Sequence, residues 1–210
     1  ELSGTIAFLG PEQHRLAATT APKLLQSVGQ LVDDVDCRLI DQHGAEVASG
    51  EAGEIIVRGP QVISNYWNNP LATAETFKQG WLYTGDIGRF DSQGNLAIVD
   101  RKKDIIISGG ENIASREVEA IISLLDNVKQ VAVVGIPDQK WGERVCAMVE
   151  RVDQQLAEPS KAKVINQCRD QLAAYKSPKL VLFDRLPVNA NGKIDKQKIK
   201  QRFNEGISKL

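Results

Sequence analysis

The sequence predicts a mixed α/β (α+β) chain made of two units, and the order of its apolar patterns carries this prediction. Residues 29–58 contain short alternating apolar runs separated by glycine turns, a pattern typical of β-strands. Beyond residue 104, strand-like runs alternate with helical patterns, which indicates a small α+β domain. Five consecutive charged residues separate these regions. We therefore predict a first unit at 1–99, a hinge at 100–104 and a second unit at 105–210.

The net charge changes sign at the same point. Residues 1–99 carry a net charge of −6, whereas residues 100–210 carry +5, so that the whole chain is close to neutral at −1. A near-neutral total argues against a dedicated nucleic-acid-binding protein. The positive second half suits anionic ligands, although two ordinarily charged, solvated surfaces would explain the split equally well.

The first unit is expected to consist mainly of β-structure. The apolar residues of one run are Val35, Cys37 and Leu39, and those of the next are Ile55 and Val57. Residues 60–80 predict a loop followed by a short helix, LATAETF. A hairpin-like pair of strands follows, with a turn at residues 92–95 between WLYTGDIGRFD and NLAIVDR.

The second unit is expected to alternate strands and helices. A strand at Ile105–Ile107 leads into two glycines, and Ser115 is placed to cap a helix that continues to about Leu125. Pro137 is expected to end the strand that follows this helix. The remaining predicted elements are the strands Val128–Ile136, Arg144–Val152 and Lys179–Phe183, a helix that starts at Pro159, and a last helix at about Lys196–Phe203.

Composition and cysteine usage limit the class of protein. With 210 residues, 42% hydrophobic and 25% charged, the chain has globular composition, which excludes a disordered or fibrous protein. No apolar run approaches the roughly 18 residues of a membrane span, and no basic amphipathic helix requires contact with a bilayer, so membrane contact stays open. Cys37, Cys146 and Cys168 are odd in number and widely spaced, which predicts reduced thiols in a cytoplasmic protein and no metal site.

Two polar residues near the middle of the chain are candidates for ligand binding. Asp86 follows a predicted strand in the stretch YTGDIG, where a carboxylate can form part of a turn or accept hydrogen bonds from a sugar diol. Arg101 follows Asp100, and its planar guanidinium can hold a phosphate or a ribose hydroxyl. For Arg101 a solvated linker is the alternative.

Two further candidates lie in the second unit. Gly109 and Gly110 permit either a tight turn or the close approach of a ligand to the backbone, and the local sequence does not decide between them. Lys193 follows an Asn-Gly turn, where most lysines are simply surface residues. In a binding site, the same lysine would be a point charge on a loop that neutralises an anion.

The order and spacing of these features resemble the C-terminal part of the adenylate-forming superfamily, which contains acyl-CoA synthetases, luciferases and the adenylation domains of peptide synthetases. The similar stretches are GWLYTGDIGRFD (80–91), IVDRKKDIIISGGENIASREVE (98–119), VAVVGIPDQKWGERVCAMV (131–149) and LPVNANGKIDK (186–196). Peptide-synthetase domains usually carry Arg-Gly where Gly109 and Gly110 stand, so the chain is more similar to synthetases of fatty or aryl acids.

The resemblance implies a fold and a role for each candidate. Residues 1–99 would be the C-terminal part of the large AMP-binding domain, including its small β subdomain, and residues 105–210 a mobile lid domain. Asp86 would bind both ribose hydroxyls of ATP and AMP, and Arg101 the ribose and phosphate. Lys103 would be the hinge. The remaining implied roles belong to the lid: Gly109 and Gly110 would line the channel for the pantetheine of CoA, and Lys193 would bridge the acid carboxylate and the α-phosphate during adenylation.

The resemblance also implies a two-step reaction with ATP, Mg²⁺ and CoA. A fatty or aryl carboxylate attacks the α-phosphorus of ATP and yields acyl-AMP and pyrophosphate, and the thiol of CoA then displaces AMP. Glu1 is similar in position to a glutamate that contacts Mg²⁺ in the family. Because Lys193 would obstruct the approach of CoA, a rotation of the lid about Lys103 is implied between the two steps.

Two alternatives remain open from the sequence. Family enzymes are much longer than this chain, so the stretch alone is not expected to be an active enzyme. It would also suit a non-catalytic, truncated homologue that acts as an interaction module, although such a module has no physical reason to keep Asp86, Arg101 and Lys193. The acyl group could instead pass to a carrier protein. The acyl chain and the oligomeric state are not predicted.

Overall fold

A computed structural model describes residues 1–153 and 159–207. The chain forms two compact units, Glu1–Lys103 and Asp104–Leu210. Residues 154–158 and 208–210, which the predicted second unit includes, lie outside the described residues. Within the described ranges, no helix is long and apolar enough to cross a membrane.

The first unit is built on two antiparallel sheets. The elements, in chain order, are β1 (Ala7–Phe8), α1 (Pro11–Thr19), a 3₁₀ turn (Pro22–Gln26), β2 (Gln30–Leu31), β3 (Asp36–Ile40), β4 (Gly53–Arg58), α2 (Pro70–Thr76), β5 (Phe77–Lys78), β6 (Trp81–Phe90) and β7 (Leu96–Arg101). The larger sheet has the strand order β3-β4-β6-β5, with β7 paired to β6, and the smaller sheet joins β1 to β2.

The core of the first unit lies on one face of the larger sheet. Alternate residues of β3 and β4 point to it, as the two-residue period of a strand requires. The buried members are Ala7, Leu39, Ile55, Val57, Leu82 and Leu96. The predicted set Leu39, Ile55 and Val57 therefore shares one core cluster, whereas Ile40 and Ile56 are also buried but outside it.

The second unit has three layers. The elements are β8 (Ile106–Ser108), β9 (Glu111–Ile113), α3 (Ser115–Ile122), β10 (Val128–Asp138), β11 (Gly142–Arg151), α4 (Lys161–Gln171), a 3₁₀ turn (Ala174–Lys176), β12 (Leu180–Phe183) and α5 (Lys196–Ile207). A five-stranded sheet with the order β10-β11-β8-β9, and with β12 paired to β11, lies between α3 and α4 on one face and α5 on the other.

The central strand β11 is buried on both faces. Val145, Ala147 and Val149 face α3 and α4, and Cys146 and Met148 face α5. Burial raises the pKa of Cys146 to about 12. That thiol therefore stays protonated near neutral pH and acts as a small core residue. The strand ends at Arg151. Val152, which was expected inside the strand, lies beyond its end and is 65% exposed.

Pro137 does not end the preceding strand, contrary to the expectation. Strand β10 continues through Pro137 to Asp138, and Pro137 lies opposite Glu143 of β11. The physical reason is the position of β10 at the edge of the sheet, where a residue without an N–H group can be accommodated.

Ser115 is not the N-cap of α3. Ala114 occupies the cap position without a side-chain cap hydrogen bond, and Ser115 is the first helical residue. Its hydroxyl instead accepts a hydrogen bond from Lys196 Nζ at 2.7 Å. This polar partner from another helix explains why a serine is fully buried at this position.

Asp100 differs from the expected solvated segment, whereas Arg101 is exposed. Both belong to β7, and Asp100 is buried at 2% exposure. The contacts of the chain divide after Lys103, where a 3₁₀ turn at Lys102–Asp104 follows the strand. The run of five charges did not distinguish the end of the strand from the turn that follows it, because its first two residues, Asp100 and Arg101, belong to the strand. The role of Lys103 as a hinge stays a prediction.

Candidate functional site

A β-bulge in the first unit presents Asp86. In the pairing of β4 with β6, Glu54 lies opposite Ile87 and Ile56 opposite Tyr83, so that the three residues Thr84, Gly85 and Asp86 face Ile55 alone. Gly85 adopts φ +69°, a conformation that a side chain disfavours. Bulges bend a strand and redirect its side chains, and they are common beside active sites.

A side-chain hydrogen bond fixes the geometry of this bulge. Thr84 Oγ1 donates to the carbonyl oxygen of Ile55 at 2.8 Å and accepts from the backbone N–H of Asp86 at 3.1 Å. One threonine therefore serves two backbone groups at the bulge, the carbonyl of Ile55 and the N–H of Asp86. Thr84 was not among the predicted site residues, although its position two residues before Asp86 is a signal for such a turn.

Asp86 and Arg101 come together across neighbouring strands. They are directly opposite in the β6–β7 pairing, and Arg101 Nε lies 2.6 Å from Asp86 Oδ1. The two side chains are 30% and 55% exposed, respectively. The pair thus combines an acceptor for hydroxyl groups with a planar donor for oxyanions, at a place that solvent and ligands reach.

Lys102 is anchored, whereas Lys103 is exposed. Lys102 Nζ contacts Oε2 of the buried Glu54 at 2.7 Å, which ties the start of the 3₁₀ turn to β4. Beside this contact lies a groove of about 490 Å³ whose lining includes Thr84, Gly85 and Lys102. The ion pair therefore anchors the first residue of the turn to the first unit.

Gly109 and Gly110 form the turn between β8 and β9. Their φ angles are +64° and +86°, the left-handed region that a two-residue hairpin turn of this kind needs at both positions. The backbone N–H of Gly109 donates to the carbonyl oxygen of Trp141 at 2.8 Å, and a Cβ on Gly109 would lie 3.2 Å from the indole ring. A Cβ on Gly110 would meet no atom within 4 Å. One side of the turn is therefore packed and the other is open.

Lys193 lies on a turn with a fixed backbone. Asn189 Oδ1 accepts hydrogen bonds from the backbone N–H groups of Asn191 and Lys193, both at 3.0 Å, and the backbone N–H of Asn189 donates to the carbonyl oxygen of Lys193 at 2.8 Å. The residue is exposed. Its side chain makes no hydrogen bond or ion pair with the described residues of its own unit, 104–153 and 159–207. A rigid turn thus carries a solvated cation.

Ion pairs at the start of α5 were not predicted as part of the site. Lys196 follows Lys193 by three residues, and its Nζ lies 2.8 Å from Glu119 Oε1 of α3. The signal available in the sequence was a second lysine in the run that contains Lys193, but a helical surface lysine would look the same. Trp141 against Gly109 was likewise not predicted.

Glu1 does not form a metal cluster with the described residues. Its Oε1 accepts a hydrogen bond from the hydroxyl of Tyr66 at 2.5 Å. In residues 1–153 and 159–207, no three histidine, cysteine or acidic side chains are grouped as metal ligands would be. A single carboxylate is compatible with Mg²⁺ only if substrate phosphates and water supply the other ligands. The predicted role of Glu1 stays a prediction.

The sequence-predicted site residues fall into two groups. Asp86 and Arg101 pair in the first unit, with Lys103 at its end. Gly109, Gly110 and Lys193 belong to the second unit.

Two family models match the chain. The model described as AMP-binding enzyme matches residues 3–67, and that described as AMP-binding enzyme C-terminal domain matches residues 117–193. The order of the two matches agrees with the two compact units of the structure.

Curated relatives include ligases of both fatty and aryl acids. The chain is 42% identical over 193 residues to a medium/long-chain-fatty-acid–CoA ligase of Mycobacterium tuberculosis, an alignment that covers 89% of this chain and 34% of the relative. It is 44% identical over 169 residues to a feruloyl-CoA synthase of an Amycolatopsis species, covering 80% of this chain and 34% of that protein. The chain therefore spans about a third of the length of these relatives.

Solved structures with the same fold are adenylate-forming enzymes. The amide bond synthetase McbA from Marinactinospora thermotolerans matches with a TM-score of 0.83 and 38% identity, over 94% of this chain and 39% of that one. The o-succinylbenzoate CoA synthetase MenE from Bacillus subtilis, solved with its acyl-adenylate intermediate, matches with a TM-score of 0.82 and 34% identity, over 94% of this chain and 38% of that one. By these similarities, the chain belongs to the AMP-binding enzyme family, the adenylate-forming superfamily of acyl-CoA synthetases and their relatives.

Proposed function

We propose that this chain is part of an AMP-forming acid–thiol ligase, an acyl-CoA synthetase that activates a fatty or aryl carboxylic acid with ATP. The named relatives are CoA ligases of fatty acids and of ferulate, which supports the reaction class. The observation that carries the proposal is the pairing of functions in this chain: an exposed lysine on a rigid turn in one unit, and a bulge-presented aspartate–arginine pair in the other.

Asp86 and Arg101 bind the nucleotide in this proposal. A carboxylate that accepts hydrogen bonds from two vicinal hydroxyls recognises a ribose, and the guanidinium beside it adds a donor for the ribose or the phosphate. The bulge at Thr84–Asp86 gives the carboxylate a defined direction. Because both side chains are partly exposed, the ion pair between Asp86 and Arg101 contributes little free energy, and its contacts can be exchanged for contacts with the nucleotide.

Lys193 acts in the adenylation step. When the acid carboxylate attacks the α-phosphorus, negative charge accumulates on the phosphoryl oxygens, and an ammonium group directed at them lowers the barrier. The turn that Asn189 fixes limits the freedom of the backbone that carries this ammonium group, so only the side chain has to be ordered.

A change of position about Lys103 separates the two steps. Lys193 has to leave before CoA can reach the acyl carbonyl, and Gly109 and Gly110 then border the path of the pantetheine. The open side of Gly110 fits the close passage of a thin ligand. Mg²⁺ would neutralise the phosphates of ATP, but the described residues alone do not form a site for it, and we assign it no step.

An exchange assay tests the proposed function in the protein that contains this chain. We expect ATP–pyrophosphate exchange with at least one acid of a panel of fatty and aryl acids, and AMP release that requires CoA. Asp86→Asn should lower exchange at limiting ATP by about 10–100-fold, because it removes a charged acceptor. Asp36→Asn is the matched control, since Asp36 forms a similar exposed pair with Arg58 on the same sheet.

Three results would contradict parts of this proposal. Exchange with none of the acids would favour a non-catalytic module. AMP release that ignores CoA but responds to an amine or a carrier-protein thiol would leave adenylation intact and replace the acceptor. An unchanged rate in Asp86→Asn would remove that residue from the nucleotide site.

A further inference from the structure

We propose that Lys196 is a positioning residue for adenylation: its ion pair with Glu119 and its hydrogen bond to Ser115 hold the turn that carries Lys193 in a fixed place on the second unit. This inference rests on the proposed function, because it gives Lys193 the catalytic role described above. It assigns a task to a lysine that does not itself touch the reacting atoms.

Lys196 makes two polar contacts with one helix. Its ammonium lies 2.8 Å from Glu119 Oε1 and donates to Ser115 Oγ at 2.7 Å, both in the first turns of α3. The side chains of Lys196 and Glu119 are each only 20% exposed, and Ser115 is fully buried. Charge-assisted hydrogen bonds in such partly buried surroundings are stronger and better defined in geometry than exposed ion pairs.

The same carboxylate also serves the sheet. Glu119 Oε1 accepts a hydrogen bond from the backbone N–H of Val133 at 2.8 Å. Val133 lies on β10, an edge strand, so this N–H has no neighbouring strand to pair with. Glu119 is thereby held by its own helix α3 and by strand β10, so that it offers Lys196 a fixed partner.

The ion pair passes around the edge of the sheet. Helix α3 packs on one face through Val118 and Ile122, whereas α5 packs on the other face through Ile199 and Phe203. Lys196 is the first residue of α5, and it connects the two helices beside β10. The ion pair therefore links α3 to α5, which pack in two different apolar clusters on opposite faces of the sheet.

Lys196 stands at the base of the Lys193 turn. The two arms of the turn meet at the Val188–Ile194 bridge and through the hydrogen bond from the backbone N–H of Asp195 to the carbonyl oxygen of Pro187. Ile194 packs against the core on the α5 face, and the ion pair of Lys196 ties the start of α5 to α3. Loss of this contact should leave the turn folded and loosen its direction.

A second lysine provides a matched control. Lys176 Nζ lies 2.6 Å from Glu117 Oε2, and its side chain is also 20% exposed, so it binds the same helix with the same chemistry. Lys176 ends a 3₁₀ turn that does not carry Lys193. Comparison of the two lysines separates the stability of α3 from the position of the Lys193 turn.

A double-mutant cycle in the protein that contains this chain tests the inference. Lys196→Met should lower ATP–pyrophosphate exchange by about 10–100-fold through kcat, because a misplacement near 1 Å has effects of that size. Thioester formation from added acyl-AMP and CoA should change by less than about threefold, since Lys193 is absent from that step. In a Lys193→Ala background, Lys196→Met should cause no further loss of exchange. Lys196→Arg should restore most of the rate, and Lys176→Met should leave the ratio of the two half-reactions unchanged.

The outcomes distinguish the inference from the function on which it rests. If Lys196→Met lowers exchange further in the Lys193→Ala background, or if it slows both half-reactions equally, only the positioning role is overturned. If Lys193→Ala itself leaves exchange unchanged, the catalytic role of Lys193 falls and the inference falls with it. Melting temperatures of all variants, measured in parallel, identify a variant that has not folded; if Lys196→Met is that variant, Lys196→Gln replaces it in the cycle.

Discussion

The carboxylate of Glu150 shows how single charges are held in the second unit. Its Oε1 lies 2.7 Å from Lys129 Nζ, and its Oε2 accepts from the backbone N–H of Leu186 at 2.9 Å. These contacts, the Lys129 hydrogen bond first, hold the pKa of Glu150 below its ordinary value of 4.5. Lys193 has no such partners among the described residues of its unit. The unit thus holds its structural charges in place and exposes the charge proposed for catalysis.

The lowered pKa predicts acid sensitivity. A carboxyl whose pKa is lower in the folded state stabilises the fold at pH values above its unfolded pKa, and this contribution is lost as pH falls through the folded pKa. Between pH 7 and pH 3, the free energy of unfolding should therefore fall less in Glu150→Gln than in the unaltered chain. At pH 7 the variant should be less stable by about 1 kcal/mol. Urea unfolding at several pH values measures both.

Glu205→Gln is the control for this prediction, because Glu205 is exposed on α5. It should follow the pH dependence of the unaltered chain. Parallel curves for Glu150→Gln and the unaltered chain would show that Glu150 does not carry the effect.

At the scale of elements, the glycine hairpin is specified by backbone conformation. Both Gly109 and Gly110 need positive φ, but Trp141 packs beside Gly109 and nothing lies within 4 Å of a Cβ on Gly110. A side chain at Gly110 would therefore meet a conformational cost and no clash. This difference makes Gly110 the position at which a side chain can be added to test the proposed CoA path.

Gly110→Leu should impair one half-reaction. The left-handed conformation should cost about 1–2 kcal/mol of stability. Thioester formation from acyl-AMP and CoA should slow, because the side chain would narrow the pantetheine path, while ATP–pyrophosphate exchange should remain near its original rate. Stopped assays of the two half-reactions give the comparison.

Gly94→Leu provides the matched control. Gly94 also has positive φ, at +77°, with no atom within 4 Å of a Cβ, and it lies in the β6–β7 turn of the first unit. It should have a similar effect on stability and none on the ratio of the half-reactions. If Gly110→Leu slows both half-reactions equally, the turn does not border the CoA path.

The sequence predicted the type of most longer elements, and the exceptions have physical causes. Alternation identified β3 and β4, because Leu39, Ile55 and Val57 face one core, and the turn at residues 92–95 identified β6 and β7 as a hairpin. Strand β9 was not predicted, because three residues show no period. Pro137 and Ser115 were misread for a shared reason: local preference was outweighed by an edge position in one case and by a partner from α5 in the other.

At the scale of the whole molecule, the account depends on a division of tasks between two units. The first carries Asp86 and Arg101, and the second carries Lys193 and the glycine hairpin. Motif order nominates these residues as candidates, but it does not indicate the long-range contacts that support them. The hydrogen bond from Thr84 to Ile55 and the ion pair of Glu119 with Lys196 join distant segments, which no local pattern records.

The most direct test of this account measures both half-reactions of Lys193→Ala in the protein that contains this chain. ATP–pyrophosphate exchange should fall by about 100–1000-fold, the effect expected when a donor to a developing charge is removed. Thioester formation from acyl-AMP and CoA should stay within about threefold of the original rate, because the proposed function withdraws the lysine in that step. Lys161→Ala, which removes another exposed lysine of the second unit, should change neither rate. An equal loss in both half-reactions, or unchanged exchange, would contradict the account.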